Sequence, residues 1–372
     1  MVTIFLYIFC AALAVQLFFY WFFYSRIAFH RSKIKIDNVD FPPVSVIIAA
    51  RNEQENLEKY LPVVLEQSYP NYEVIVVDDC SVDSTIDVLR DMKKRYPERL
   101  HVTQVKPSRG FESSKKFALT MGIKAAQYEN LVFTDADCYP TSNQWLKYVG
   151  GALTKRPMVL GYGGMIKEKG LLNALIRFET AVIGMQYLSL AKAGLPYMGV
   201  GRNLAYKAHL YHKQKGFSKH LNLKSGDDDL MVNAASDGRN TSIALNEFCI
   251  TKTPAKSTFT KWIIQKKRHL TTASSYKWKH KFILTLLPLS QVIFFASFTA
   301  LLFFPEWQLY ALIGLLIRLF TQLLIWFYSF KQLDEKHLFW LGPVFELFFM
   351  VFYPYLAMSN TIDRFNEWKK KR

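Results

Sequence analysis

The chain reads as an α/β protein built on a mostly parallel sheet and flanked by membrane helices. Three observations predict this. Between residues 42 and 255, short apolar runs of strand type alternate with segments of helical type. Acidic residues collect where those runs end, which is the ligand edge of an open parallel sheet. Long, almost uncharged apolar blocks lie on either side of this region.

Each element of the middle region has its own signal. Val44-Ser45-Val46-Ile47-Ile48-Ala49-Ala50 is a buried-strand run, and 55–66 follows as a helix. A second strand, 73–77, ends at Asp78-Asp79, and Ser84 or Asp83 caps a helix over 85–95, capping being the preferred role for Asp83. A third strand is expected at 101–105, a third helix at 115–127 and a fourth strand at 131–134. A short helix over 230–236 follows Gly226-Asp227-Asp228-Asp229, and 258–276 reads as a basic amphipathic helix.

The apolar residues are concentrated at the ends of the chain. Residues 1–24 are almost free of charge and are followed by Arg26, His30, Arg31, Lys33 and Lys35. A cleaved signal would carry its positive charge before the apolar core, so a retained helix with its C-terminal end in the cytoplasm is expected. Blocks at 282–304, 309–330 and 338–358 are each long enough to cross about 30 Å of hydrocarbon. The last holds Glu346, Pro343 and Pro354, which suits a kinked, re-entrant or protein-packed helix as well as a span. Three full spans from a cytoplasmic start would leave Lys369-Lys370-Lys371-Arg372 outside, against the positive-inside tendency. The expected division is a membrane helix at 1–25, a catalytic domain at 42–255, an interfacial segment at 256–281, a membrane region at 282–360 and a basic tail at 361–372.

The net charge of +17 clusters beside the apolar blocks, as at Lys277, Lys279, His280 and Lys281, and suits anionic lipid headgroups and nucleotide phosphates. No stretch of the middle domain interleaves basic and aromatic residues, so a nucleic-acid partner is not expected. Cys10, Cys80, Cys138 and Cys249 have no paired spacing, which fits a reducing compartment without disulfides or a zinc site.

Asp135 and Asp137 close the run Asn130-Leu131-Val132-Phe133-Thr134. Two such carboxylates suit a hard divalent cation, Mg²⁺ or Mn²⁺, that keeps positions open for phosphate oxygens. An Asp-x-Asp alone also arises from an ordinary Asx-turn, but Glu53 and Asp78-Asp79 put acids at two further strand ends. Ala50-Arg51-Asn52-Glu53 lacks the glycines of a phosphate loop, which weakens dinucleotide-oxidoreductase and P-loop readings. Three adjacent acids at 227–229 repel one another, raising the proton affinity of one of them toward the range of a general base. They also suit the cap of the helix that follows.

The ordered set Val44 to Glu53, Val76-Val77-Asp78-Asp79-Cys80-Ser81 and Asp135-Ala136-Asp137 resembles the inverting glycosyltransferases of family 2, whose catalytic domain has the GT-A fold. The flanking helices resemble those of the hyaluronan, cellulose and ceramide glucosyl transferases. The resemblance implies a nucleotide-sugar donor, a UDP-sugar, with Ala50, Glu53 and Asp79 on the base and ribose. Lys115, in Ser114-Lys115-Lys116-Phe117-Ala118-Leu119, matches the lysine of the family's Gly-Lys-x-x-Ala-Leu stretch, with Ser in place of Gly. Asp135 is then a donor contact and Asp137 the metal ligand. The 226–230 cluster matches the family's base motif at Asp228 if Asn233 sets the register, or at Asp227 if Leu230 does. Gln265-Lys266-Lys267-Arg268-His269 resembles the Gln-x-x-Arg-Trp signature, which implies Arg268 on the leaving diphosphate and Gln265 and His269 on the acceptor side. Gly199-Val200-Gly201-Arg202-Asn203 resembles the family's acceptor-side loop. A lipid or glycan acceptor at the cytoplasmic face of the cell membrane is implied. The alternatives are a processive polysaccharide synthase and a catalytically silent nucleotide-sugar-binding scaffold.

Overall fold

The computed structural model describes residues 2–32, 40–106, 114–221, 223 and 225–370, with side chains up to residue 361. Lys33 and Lys35 of the basic flank, and Lys371 and Arg372 of the tail, lie outside the described residues. The chain divides into two units, one of residues 31–168 and 190–255, the other of residues 1–30, 169–189 and 256–372.

The first unit is built on two sheets. Its strands are β1 (Val44–Ala50), β2 (Tyr72–Asp79), β3 (Leu100–Val105), β4 (Asn130–Phe133), β5 (Tyr139–Pro140), β6 (Met158–Gly161), β7 (Gly163–Met165), β8 (Leu204–Lys207), β9 (Thr241–Ala244) and β10 (Thr251–Thr253). The large sheet has the order β3-β2-β1-β4-β8-β6-β9, and the small one β5-β10-β7. The first four strands are parallel, as their near-continuous apolar runs predict, because helices cover both faces of such a sheet. β8 breaks the pattern by running antiparallel to both β4 and β6.

The two faces are read off the alternation in β1 and β2. Val44, Val46, Ile48, Val74 and Val76 pack on one side with Leu57 and Leu61 of the Gln54–Leu65 helix and with Trp145 and Val149. Ile75 and Val77 face the other side, against Ala118 of the Lys115–Ala125 helix. That helix sits very close to the sheet at Gly122, where an added Cβ would lie 2.6 Å from Ile47 Cγ2. Ser114 caps its first turn by accepting from the Phe117 N–H. Close packing at one end fixes where Lys115 and Lys116 emerge at the other.

The second unit contains four helices long and apolar enough to cross a membrane, spanning Thr3–Ala28, Trp278–Leu301, Pro305–Gln332 and Lys336–Thr361, and they mark the chain as a membrane protein. The N-terminal one runs beyond the expected residue 25 and passes through a π-helical turn at Phe19–Tyr24. Charge inside this unit is paired. Arg318 donates to Gln16 at 2.7 Å, to Gln322 at 3.0 Å and to Glu346 at 2.7 Å, and Gln291 and Gln322 also donate to Glu346. Glu346, which left the last block open to several readings, is therefore packed against protein and ion-paired.

The Leu171–Lys192 helix had no counterpart in the sequence reading, and its residues 171–189 group with the membrane helices. It contributes two buried charges, Arg177 to Glu335 and Glu179 to Lys266. The basic amphipathic segment forms the Phe259–Ala273 helix, with Thr258 as its cap. The expected basic face of this amphipathic helix does not include Lys266. That side chain turns inward to Glu179 at 2.6 Å, because a buried carboxylate requires a partner. Trp262, which had no assigned role, is fully buried, donates to the same carboxylate at 3.2 Å and stacks on Phe352.

Candidate active site

Parallel pairing brings the C-terminal ends of β1, β2 and β4 side by side, with Ala50 opposite Asp78 and Ile47 opposite Phe133. Two residues that follow these strands adopt left-handed backbone, Asn52 at φ 56° and Cys80 at φ 57°, which turns the chain sharply at the sheet edge. The two turns are tied together. The Asn52 N–H donates to Ser81 Oγ, the Val82 N–H to Asn52 Oδ1, and the Glu53 N–H to Thr85 Oγ1, each at 2.9 Å. Glu53 is partly buried and accepts from Asn56 at 2.6 Å.

The acids at the strand ends divide by role. Asp78 is fully buried and accepts from the Ser81 N–H and from Gln104, so it holds the turn and is removed from the candidate ligands. Asp79 and Ala50 are buried beside it at the same edge. Asp83 accepts from the backbone of Thr85 and of Gln54, serving two helix starts as its expected capping role requires.

Asp135 and Asp137 follow β4 and are half-buried, and with Cys138 they present ligand atoms within 4.8 Å of one another. Burial first, then the neighbouring Asp135 and Asp137, push the Cys138 thiol well above its usual range, so it stays protonated. A neutral buried thiol is a poor ligand for a hard cation, and two carboxylates are good ones. The donor set therefore fits Mg²⁺ or Mn²⁺ through Asp135 and Asp137.

The second acid cluster lies in the same pocket, which is lined by Lys115, Thr134, Asp135, Gly201, Asp227 and Asp228 over a floor of Leu119, Phe133, Leu204 and Tyr206. Lys115 Nζ is 2.6 Å from Asp135 and 3.4 Å from Asp227, joining the two motifs across ninety residues of sequence. Burial works to lower this ammonium's pKa, but Asp135, Asp227 and Asp228 outweigh it and hold it well above the ordinary lysine range.

Asp228 is the N-cap of the Asp229–Ala235 helix and accepts from the Asp229 N–H at 2.8 Å. Its other oxygen accepts from the Gly201 N–H at 2.7 Å. Burial, then Asp227 and Asp229, push its carboxyl up to about 7, against the opposing pull of Lys115 and Gly201. The capping and proton-accepting readings of the triplet thus meet in one residue. Gly201 is held in place by its neighbours. Arg202 donates twice to the Gly163 carbonyl, and Asn203 donates to the Tyr162 and Cys249 carbonyls while accepting from Trp145 Nε1.

The pocket thus brings Asp135, Lys115, Asp227 and Asp228 together, with Asp137 beside Asp135. Ala50, Glu53 and Asp79 stand at the neighbouring strand ends. Gln265, Arg268 and His269 belong to the Phe259–Ala273 helix of the membrane unit, where Gln265 is partly buried and the other two are exposed. The Gly201 loop was expected on the acceptor side, but the contact of its backbone N–H with Asp228 carries no side-chain signal. Lys116 had no assigned role.

The description "Glycosyl transferase family 2" belongs to the family whose profile matches residues 45–207. The poly-beta-1,6-N-acetyl-D-glucosamine synthase of Staphylococcus epidermidis is 34% identical over 119 residues, covering 32% of this chain and 27% of that protein. The beta-monoglucosyldiacylglycerol synthase of a Nostoc species is 32% identical over 141 residues, 37% of this chain and 28% of that protein. The chain spans about a quarter to a third of the length of the curated relatives it matches. Among solved structures, a mannosyltransferase of Pyrobaculum calidifontis, in complex with GDP-Man and Mn²⁺, superposes with a TM-score of 0.55 at 20% identity. The superposition covers 93% of this chain and 98% of that one. Residues 45–207 thus match glycosyltransferase family 2, and the fold that carries them is GT-A.

Proposed function

We propose that the protein is an inverting glycosyltransferase that moves a sugar from a nucleotide-sugar donor, a UDP-sugar, to a lipid, lipid-linked or polysaccharide acceptor at the cytoplasmic face of the cell membrane. The observation that carries this reading is Asp228. It is a carboxylate oriented by two backbone N–H groups, with a proton affinity near neutrality, and it shares a pocket with the Asp135–Lys115 pair.

Ala50, Glu53 and Asp79 bind the base and ribose in this reading, and Asp135 and Lys115 meet the sugar and diphosphate. A divalent cation on Asp137 and Asp135 supplies charge neutralisation of the diphosphate when bound. Asp228 takes the proton from the acceptor hydroxyl as that oxygen attacks the anomeric carbon. The glycosidic bond forms as the bond to the diphosphate breaks, with inversion in a single displacement. Lys115 is the mobile partner, since an ammonium shared between Asp135 and Asp227 can transfer one contact to phosphate without crossing the pocket. Arg268 is assigned to the leaving diphosphate, and Gln265 and His269 to the acceptor side.

The named relatives are synthases of different products, an N-acetylglucosamine polymer in one and a glucosyldiacylglycerol lipid in the other, and acceptors of both kinds suit a membrane-embedded enzyme. Purified protein incubated with a panel of radiolabelled UDP-sugars and membrane lipid extract tests the proposal. Labelled lipid or polymer is expected, and Asp228→Asn should retain donor binding while losing transfer. Turnover retained in that variant removes Asp228 as the base. Failure to bind any nucleotide sugar removes the reading itself, and chain length of the product separates single transfer from a processive synthase.

A further inference from the structure

Lys115 and Lys116 are consecutive at the start of one helix, yet their side chains do different things. Lys116 is buried, 3% exposed, and its ammonium donates to the backbone carbonyls of His220 at 2.5 Å, Leu223 at 2.7 Å and Ser225 at 2.7 Å. Three donors meet three acceptors, so the group is fully satisfied. All three carbonyls lie in the segment that leads into Gly226, whose φ of +99° turns the chain into Asp227-Asp228-Asp229.

Carbonyl oxygens do not converge on a point unaided, because their lone pairs repel. A cation at the centre reverses that, and burial makes the reversal strong. An apolar side chain of the same volume would fill the space without drawing the carbonyls inward. Among the described residues of this segment, the backbone bonds are short-range turns such as Leu223 N–H to His220 O. Lys116 therefore ties down the backbone at His220, Leu223 and Ser225, and Asp228 follows three residues after the last of them.

We propose that Lys116 is a positioning residue for transfer: its buried ammonium gathers the carbonyls of residues 220, 223 and 225 and so fixes where Asp228 meets the acceptor hydroxyl. This rests on Asp228 being the base. It also gives the helix start two tasks at once, since Lys115 faces the donor-side acids while Lys116 shapes the acceptor-side loop.

The test uses the full chain in lipid nanodiscs and the variant Lys116→Met, which keeps length and removes charge. Three quantities are read: kcat for transfer at saturating donor, donor Kd by calorimetry with Mn²⁺, and hydrogen exchange of peptides covering 217–230. The expected result is a fall in kcat of about 30-fold or more, a donor Kd within about twofold of wild type, and exchange in 217–230 faster by about tenfold or more with β1, β2 and β4 unchanged. A kcat and an exchange pattern equal to wild type overturn the proposal, as does a donor Kd that weakens in proportion to kcat. Should the variant not fold, wild-type exchange decides. Slow exchange at the Leu223 amide, matching the Lys115–Ala125 helix, supports a cation-held loop, and exchange at the rate of an unstructured chain refutes it. Loss of the base assignment through an active Asp228→Asn variant would leave the exchange result standing, so the two failures are distinguishable.

Discussion

Replacing Asp228 by asparagine removes a negative charge from a place where three acids adjoin and water is largely excluded, and its effect on stability has a definite sign. The carboxyl holds its proton more tightly in the folded protein than in the unfolded chain, with a value of about 7 against an ordinary 3.8. Such a group's favourable contribution is fully present below the unfolded value and is lost as pH rises through about 7. At about 1.4 kcal/mol per pH unit, that interval corresponds to about 4 kcal/mol of stability forgone by wild type at alkaline pH. Asparagine forgoes none of it. Its amide nitrogen, however, must face one of the N–H groups of Gly201 and Asp229, a lost hydrogen bond that costs about 1–3 kcal/mol at every pH. The variant should therefore be the more stable protein by about 1–3 kcal/mol at pH 8.5 and the less stable one by a similar amount near pH 4. Thermal unfolding in detergent, followed by tryptophan fluorescence at half-unit pH steps, reads the crossing. In wild type, kcat should rise about tenfold per pH unit below 7 and level off above it. A stability difference that does not vary with pH, or a wild-type kcat flat from pH 5 to 8, would refute this account of Asp228.

Three further perturbations address other parts of the molecule. Asp137→Ala should abolish the Mn²⁺-dependent part of donor affinity and leave the metal-free part unchanged, as calorimetry with and without the cation would show. Arg318→Met strands Glu346 among buried helices and should cost about 3–5 kcal/mol, much of it recovered in the double variant with Glu346→Gln, measured as thermal stability in nanodiscs. Gly161→Ala places a Cβ 2.4 Å from Asn203 Cγ and must displace the side chain that anchors the Gly201 loop. A loss of about 1–3 kcal/mol is expected, together with a lower kcat at unchanged donor affinity.

The sheet strands at the donor edge were legible because β1, β2 and β4 are buried on both faces and so carry uninterrupted apolar runs. The acid motifs at their ends stood out against that background, and Asp135, Asp227 and Asp228 do share one pocket. β6 to β10 were not legible. They are three or four residues long, include glycines and threonines, and gain their order from tertiary pairing more than from their own pattern. Asp78 and Asp79 look alike in sequence, and only the direction set by the strand separates a buried brace from a candidate ligand. Lys266 and Lys116 show the same limit in reverse. Lys266 read as part of a basic amphipathic helix and Lys116 had no assigned role, yet both are drawn inward by acceptors more than eighty residues away, Glu179 in one case and the carbonyls of His220, Leu223 and Ser225 in the other. No local periodicity encodes such partners.

The polar knot around Arg318 has a consequence for biogenesis. Among the four described apolar helices, Gln16 sits in the one made earliest and Glu346 in the one made latest, with Gln291, Arg318 and Gln322 between them. Gln16 finds its partners, the Ser290 carbonyl and Arg318, as soon as those helices are in place, but the guanidinium waits for Glu346 to supply its counter-ion. A ribosome stalled before residue 346 would thus leave an uncompensated cation within the bilayer.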